Sequence, residues 1–258
     1  MEETRKCQVL VVGAGPGGYV AAIRSAQLGL DTVIVEGDKA GGTCLIRGCI
    51  PSKAIIHAAE RFEALQKHSN EGGLMGISVE SKPEVDMVAL VSWKDTIVTR
   101  LNKGVEALLK GSGAELINGW ATFTGPKKCT VEGENVNVNI EAENVIIATG
   151  SSHIDLPFMP CDEKFILSST GALDLDKLPK TAAIVGGGYI GLELGCALSK
   201  LGTEVTVVEG MDSILAIMDK EIRRPLEIWL KKHKVAIHTN ALARSAEIKG
   251  KGASRKVH

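Results

Sequence analysis

Two cysteines five positions apart, Cys44 and Cys49, lie in Gly41-Gly42-Thr43-Cys44-Leu45-Ile46-Arg47-Gly48-Cys49-Ile50-Pro51-Ser52-Lys53. Such a pair can cycle between dithiol and disulfide, and the thiolate is the nucleophile in that exchange. Five residues of regular helix advance about 7.5 Å, whereas a disulfide holds its Cα atoms roughly 4.4–6.8 Å apart. If the two are bridged, the backbone between them cannot be regular helix. Gly48 permits unusual dihedrals. Pro51 lacks an amide donor and crowds the carbonyl of Arg47. Both loosen the first turns of the helical pattern that follows, Ala54 to Leu65. A helix N-terminus also carries partial positive charge, which favours a thiolate. The stretch suits a strained, reducible pair at a helix start; it also admits two separate thiols in a buried turn.

What must position these residues is legible on either side. Gln8 to Val12 is a continuous apolar strand, followed by Gly13-Ala14-Gly15-Pro16-Gly17-Gly18, a helix to about Gly29, and a second strand, Thr32 to Val35, ending in Glu36. This is a βαβ dinucleotide fingerprint in its proper context. Gly13 makes the tight turn, Gly15 lets backbone amides approach a pyrophosphate at the helix N-terminus, and Gly18 lets helix and strand pack closely. Glu36 can accept hydrogen bonds from an adenosine ribose. The unit recurs at an offset of 173 (Gly13 to Gly186, Glu36 to Glu209), as Ala182 to Val185, Gly186-Gly187-Gly188-Tyr189-Ile190-Gly191, and Val205 to Val208 before Glu209. Two such units imply two dinucleotides.

Composition sets the bounds. Apolar residues make up 44% and charged residues 24%, the proportions of a globular protein. A net charge of −1 supplies no basic field for nucleic acid or an anionic membrane. Six cysteines are too sparse for a secreted disulfide framework. No Cys/His cluster has zinc spacing, so no metal is expected. Cys7 and Cys196 lie in apolar runs and read as core thiols. The start is not a signal peptide, and no apolar run is long enough to span a membrane. A cytoplasmic protein is expected; the alternative is an organelle-matrix protein already stripped of its targeting segment.

Between the fingerprints, Val85 to Leu109 reads as a long amphipathic helix stopped by Gly111-Ser112-Gly113. Glu115 to Asn118, Lys128 to Val131 and Val136 to Ile140 read as short strands of a meander that begins at Gly119 to Phe123. Val145 to Ile147 continues into Ala148-Thr149-Gly150 as another buried strand. The segment from Ser152 to Lys180, with Pro157, Pro160 and Pro179, reads as a linker. Met218-Asp219-Lys220 opens a helix to about Lys232, Val235 to Thr239 is a strand, and the basic, polar stretch Lys249 to Lys256 reads as disordered. The expected architecture is α/β: two Rossmann-like dinucleotide domains, residues 1–150 and 151–258, the second cut short and the first carrying the small β-meander.

The cysteine stretch resembles the redox-active disulfide of the flavoprotein disulfide reductases, most closely the dihydrolipoamide dehydrogenases. Their pattern reads Gly-Gly-Thr-Cys-Leu-Asn-x-Gly-Cys-Ile-Pro-Ser-Lys, from which this chain departs once, with Ile46. The resemblance runs to about Ala243. It implies a Cys44–Cys49 disulfide, FAD in the first domain and NAD in the second. It places Gly42, Thr43, Cys44, Lys53, Ala121, Thr149, Gly150 and Ser151 at the flavin nucleotide along with Gly13, Gly15, Gly18 and Glu36. For NAD it implies Gly186, Gly187, Gly188, Tyr189, Ile190, Gly191, Glu209 and, on a weaker signal, Ala241. Tyr189 gates the nicotinamide pocket in relatives; plain packing is the alternative. After Ala148-Thr149-Gly150 the family usually carries proline where this chain has His153.

The resemblance further implies that Lys53 and Glu193 pair beside the flavin. It implies oxidation of dihydrolipoyl groups, with NAD as final acceptor, in 2-oxo acid dehydrogenase complexes. The partners would be lipoyl domains or free dihydrolipoamide. The family's His-Glu base and homodimer contacts belong to a later domain than this chain shows, so an inactive flavin-binding fragment is the competing expectation. Mercuric or glutathione reductases are the nearest other enzymes. His57, two turns beyond Cys49, reads as structural.

Overall fold

The computed structural model describes residues 4–70, 76–250 and 256–258. Contacts divide the chain into two compact units, residues 1–51 with 95–152, and residues 52–94 with 153–258.

The first unit is built on a six-stranded sheet in the order β3-β2-β1-β6-β5-β4. Its strands are β1 (Thr4–Val12), β2 (Thr32–Glu36), β3 (Glu115–Asn118), β4 (Trp120–Gly125), β5 (Lys128–Gly133) and β6 (Val136–Ile147). β2 is parallel to β1 and β3, and β1 is parallel to β6. β6, β5 and β4 form the antiparallel meander. Period-two alternation splits β1 between two cores. Val9 and Val11 pack with Ala22 of α1 (Pro16–Gln27), Leu45 of α2 (Gly42–Arg47) and Leu109 of α4 (Met87–Ser112). Leu10 and Val12 face Val131 and Ile140 of the meander. Strands covered on both faces read as unbroken apolar runs, and Cys7, buried here, has its thiol pushed up to about 11 chiefly by desolvation.

The second unit carries a parallel three-stranded sheet, β7 (Thr181–Val185), β8 (Glu204–Val208) and β9 (Ala236–His238), in that order. α6 (Tyr189–Leu201) and α7 (Lys220–Lys232) make the crossovers. Leu192, Leu198, Val205, Val207 and Leu230 are buried between them.

Several expectations are corrected. Each contact unit is made of two chain segments, with boundaries after Pro51, Lys94 and Ser152. From Ser52 on, α3 (Cys49–Asn70) groups with the second unit, as does the start of α4, because Ile55, Ala59, Met87 and Leu90 pack with Leu173, Leu194, Ala197 and Leu201. The segment read as a linker contains α5 (Ser169–Ala172), capped by Ser168, and buries Leu173. The strands read at Val136–Ile140 and Val145–Ile147 are one strand, β6, and Ala148-Thr149-Gly150 lie past its end. Its end is not buried, Ile147 being 69% exposed, because β5 pairs with β6 only as far as Glu141. At the basic end, β10 (Ile248–Lys249) pairs with β11 (Lys256–Val257) as a small hairpin; residues 251–255 lie outside the described residues. Cys196 is half-buried rather than a core thiol.

Candidate nucleotide and dithiol sites

The first fingerprint turns at Gly13, whose φ is +97° and whose amide donates to Val35 O at 2.8 Å. A Cβ on Gly13 would lie 2.3 Å from Ala148 O, and one on Gly18 only 1.7 Å from Gly13 O, so both must be glycine for strand, turn and helix to close. Gly15 is the N-cap of α1, with Pro16 at the first helical position, where its missing amide costs nothing. Glu36 ties the loop together: Ala14 N donates to its Oε2 at 2.7 Å and Asp38 N to its Oε1 at 2.9 Å.

The second unit repeats this bond for bond. Gly186 has φ +100° and donates to Val208 O at 2.8 Å. A Cβ on Gly191 would meet Gly186 O at 2.7 Å, and Gly188 is the N-cap of α6. Glu209 accepts from Gly187 N at 2.6 Å and Met211 N at 2.7 Å. A carboxylate offers about four lone-pair sites, so Glu36 and Glu209 each keep capacity for a ribose hydroxyl after both oxygens have taken an amide. Ala241 is held by its amide to Glu209 O at 2.9 Å.

The cysteine stretch lies against the first fingerprint. Gly41 N donates to Ala14 O at 2.8 Å, and a Cβ on Gly42 (φ +60°) would stand 2.5 Å from Gly15 Cα. Asn102 of α4 donates to Ala40 O at 2.7 Å and braces the approach, while Arg47 pairs with Asp38. The N-termini of α1 and α2 therefore adjoin. Thr43 is exposed and Cys44 half-buried on α2; Cys49, exposed, opens α3. Helix breaks between the cysteines at Gly48 (φ −142°, ψ −111°), where a Cβ would fall 2.8 Å from Thr43 O. The break is at the glycine, and Pro51 sits harmlessly in the first turn of α3. Thr149 follows Ala148, whose amide donates to Val12 O at 2.8 Å, and its Cα would lie 3.1 Å from a Gly13 Cβ. Gly150 (φ +74°) and Ser151 are exposed beyond it. Ala121 sits further away on β4, paired with Val131. The neighbouring Trp120 lays its ring on Gly37, just past Glu36.

Within the second unit, Lys53 of α3 and Glu193 of α6 meet although 140 residues separate them, Nζ standing 2.8 and 2.9 Å from the two carboxylate oxygens. Their side chains are 59% and 36% exposed, so the pair is a solvated one. An apolar cleft of about 340 Å³ adjoins, lined by Ile56, Tyr189, Leu192, Cys196, Leu226 and Trp229 among others. Tyr189 and Ile190 are exposed at the start of α6. At the cleft, Lys200 stands over the Trp229 ring and pairs with Glu60, and His233 stacks on Trp229 and reaches Glu63 at 2.8 Å. Residue types do not disclose the amides of Ala14, Asp38, Gly187 and Met211 as functional groups; only the repeated glycine-acid spacing hints at them.

The pyridine nucleotide-disulphide oxidoreductase family matches residues 7–258. The chain belongs to this family. Among curated relatives, dihydrolipoyl dehydrogenase of Pseudomonas aeruginosa is 47% identical over 239 residues, covering 92% of this chain and 51% of that protein. The Geobacillus stearothermophilus dihydrolipoyl dehydrogenase is 47% identical over 240 residues, with coverages of 93% and 50%. The chain thus spans about half the length of the curated relatives it matches. Among solved structures, LpdA of Mycobacterium tuberculosis aligns with a TM-score of 0.83 at 26% identity, covering 97% of this chain and 56% of the other. The HOCl-induced flavoprotein disulfide reductase RclA of Escherichia coli aligns at 0.79 and 27%, covering 97% and 52%. The fold is accordingly the α/β, doubly Rossmann-like one of that family. Among the described residues, no helix is long and apolar enough to cross a membrane.

Proposed function

We propose that this chain is the FAD- and NAD-binding part of a dihydrolipoyl dehydrogenase, in which Cys44 and Cys49 form the redox disulfide. The observation that carries the reading is the seating of the cysteine-bearing α2 on the first of two matching nucleotide loops, through Gly41, Gly42, Ala14 and Gly15. The loops fit the groups assigned to them. Both helix N-termini are free of capping side chains, and a Cβ at Gly188 would meet nothing within 4 Å, leaving backbone amides open to a pyrophosphate. Gly13, Gly15, Gly18, Glu36, Gly42, Thr43 and Thr149 would hold FAD, with Ala121, Gly150 and Ser151 at its margins. Gly186 to Gly191, Glu209 and Ala241 would hold NAD.

The chemistry divides between the thiols. One sulfur of a dihydrolipoyl group attacks Cys44 Sγ; the Cys44–Cys49 bond breaks and Cys49 leaves as thiolate. The second substrate sulfur attacks the mixed disulfide, closes the lipoyl ring and releases Cys44. Each substrate thiol gives up a proton as it reacts, one to accompany the electron pair and one to be released to solvent. FAD, held by the first glycine loop, would supply the acceptor for the electron pair and one of these protons, with NAD as the final acceptor of hydride. Lys53, oriented by Glu193, would set a positive charge one helical turn after Cys49 on α3. Glu209 favours NAD, because its charge repels a 2′-phosphate and neither Gly210 nor Met211 offers a cation. Lipoyl domains of 2-oxo acid dehydrogenase complexes, a homodimeric assembly, and the cytoplasm or an organelle matrix complete the reading.

The test is dihydrolipoamide-dependent reduction of NAD by the full chain, compared with Cys44→Ser and Cys49→Ser. Turnover lost in both variants while flavin content is retained supports the reading. Turnover that survives either substitution overturns it.

A further inference from the structure

We propose that His153, Asp155 and Cys161 form a binding site for a borderline divalent metal ion, with zinc(II) the best fit. The three lie within nine residues at the start of the second unit's later segment. Their ligand atoms all fall within 4.8 Å of one another. His153 Nε2 stands 3.7 Å from Asp155 Oδ1. A tetrahedral zinc with bonds of about 2.0–2.3 Å separates its ligand atoms by roughly 3.3–3.7 Å. The imidazole and carboxylate stand at the wide edge of that spacing, and no pair needs to close by more than about 1.5 Å.

The backbone brings the set together. Leu156 and Met159 form an antiparallel bridge that turns the chain back at Pro157 and Phe158, returning Cys161 to Asp155. Asp155 Oδ1 accepts from Cys161 N at 3.4 Å, which ties the two ends of the turn together. Beyond Cys161, Asp162 accepts from the amides of Lys164, Phe165 and Ile166 at 2.8–2.9 Å, which fixes the far side of the turn. Asp162 and Glu163 add negative charge next to the sulfur.

The donor set selects the ion. One thiol, one imidazole and one carboxylate suit zinc(II) or cobalt(II), whereas magnesium and calcium take oxygen shells. Three protein ligands leave a fourth position for water or an incoming group, and the half-exposed side chains leave it open to solvent. Spacings of two and six residues match no common metal motif, so residue spacing alone does not disclose the set. The signal was His153 itself, standing where the family pattern carries proline.

The dithiol at Cys44 and Cys49 could itself bind a thiophilic ion, so the experiment begins from the full chain carrying Cys44→Ser and Cys49→Ser. Cobalt(II) titration, followed by near-ultraviolet absorption, reads thiolate ligation directly. The expected result is a thiolate-to-cobalt band that saturates at one ion per chain and is displaced by zinc(II). Adding Cys161→Ser should remove the band, with an unchanged circular dichroism spectrum showing that the fold persists. His153→Asn should weaken binding by more than about tenfold, the cost of losing even an outer-shell partner. Cobalt binding without a thiolate band, a band that survives Cys161→Ser, or an affinity indifferent to His153→Asn would overturn the proposal.

Discussion

Glu209→Gln isolates what the repeated carboxylate does. In the structure each oxygen of Glu209 receives one backbone amide, from Gly187 at 2.6 Å and Met211 at 2.7 Å. Glutamine keeps one acceptor and turns the other into an NH2 group facing an N–H. One charge-assisted bond is lost, the survivor becomes neutral, and a donor is left opposing a donor. Hydrogen bonds to charged groups contribute about 1.5–3 kcal/mol each, so a total near 2–3 kcal/mol is expected. Where the loop is held folded without nucleotide, that loss lowers the thermal midpoint, at about 2–4 °C per kcal/mol for a chain of this size. Where the loss falls on the nucleotide-bound state it weakens NAD by roughly 30- to 150-fold. Calorimetric titration of NADH and NADPH, with scanning calorimetry of the same samples, reads both. NADPH should weaken less than NADH, because the substitution also removes a charge that repels the 2′-phosphate. An unchanged midpoint together with unchanged NADH affinity would show that Glu209 does not organise the loop. Tighter binding of NADPH than NADH by the unaltered chain would remove the basis for NAD preference.

Other outcomes follow from single contacts. Gly48→Ala drives a Cβ to 2.8 Å from Thr43 O; overpacking of this kind costs about 1–3 kcal/mol, and denaturant unfolding should register it, while an unchanged midpoint would mean that the break between α2 and α3 relaxes freely. Burial opposes ionisation of Glu63, but hydrogen bonds from His233 and Lys67 outweigh it and hold the carboxyl below its ordinary value of 4.5. That stability is present above about pH 4.5 and is lost as pH falls through the lowered folded value. Glu63→Gln should therefore destabilise at neutral pH, and the gap from the unaltered chain should close on acidification; a gap independent of pH would contradict the assignment. Lys53→Met removes a solvated pair worth no more than about 1 kcal/mol, so stability should hardly change while reduction of bound flavin by dihydrolipoamide slows; loss of both together would make the pair structural.

Local signals made much of this legible. Unbroken apolar runs before each glycine turn marked β1 and β7, and the offset of 173 made the second loop readable from the first. Gly113, at φ +90°, ends α4 where the sequence placed the stop. The meeting of Lys53 and Glu193 had no local signal; only the resemblance suggested it. Sequence reasoning failed where tertiary partners decide. Nothing in Val136 to Ile147 tells that a run with a polar middle, Glu141 to Asn144, stays one strand, because β1 supplies its partners through that middle. Nothing in Ile146 or Ile147 tells that the strand's end lacks cover. The grouping of residues 52–94 with the second unit depends on which helix face Leu194 and Leu201 meet, and spacing along the chain cannot show that.

β6 has a consequence for how the first unit comes apart. Its residues pair with β1 from Asn139 to Ile147 and with β5 from Val136 to Glu141. One strand is thus the parallel neighbour of the nucleotide-binding sheet and the antiparallel neighbour of the meander. Strands that share a ladder open together, as a cooperative unit. Amide protons of β1 and β5, which do not touch in the ladder, should then exchange with deuterium at one common opening energy. The meander is in that sense no appendage: peeling it away unzips the strand that leads into the first glycine turn.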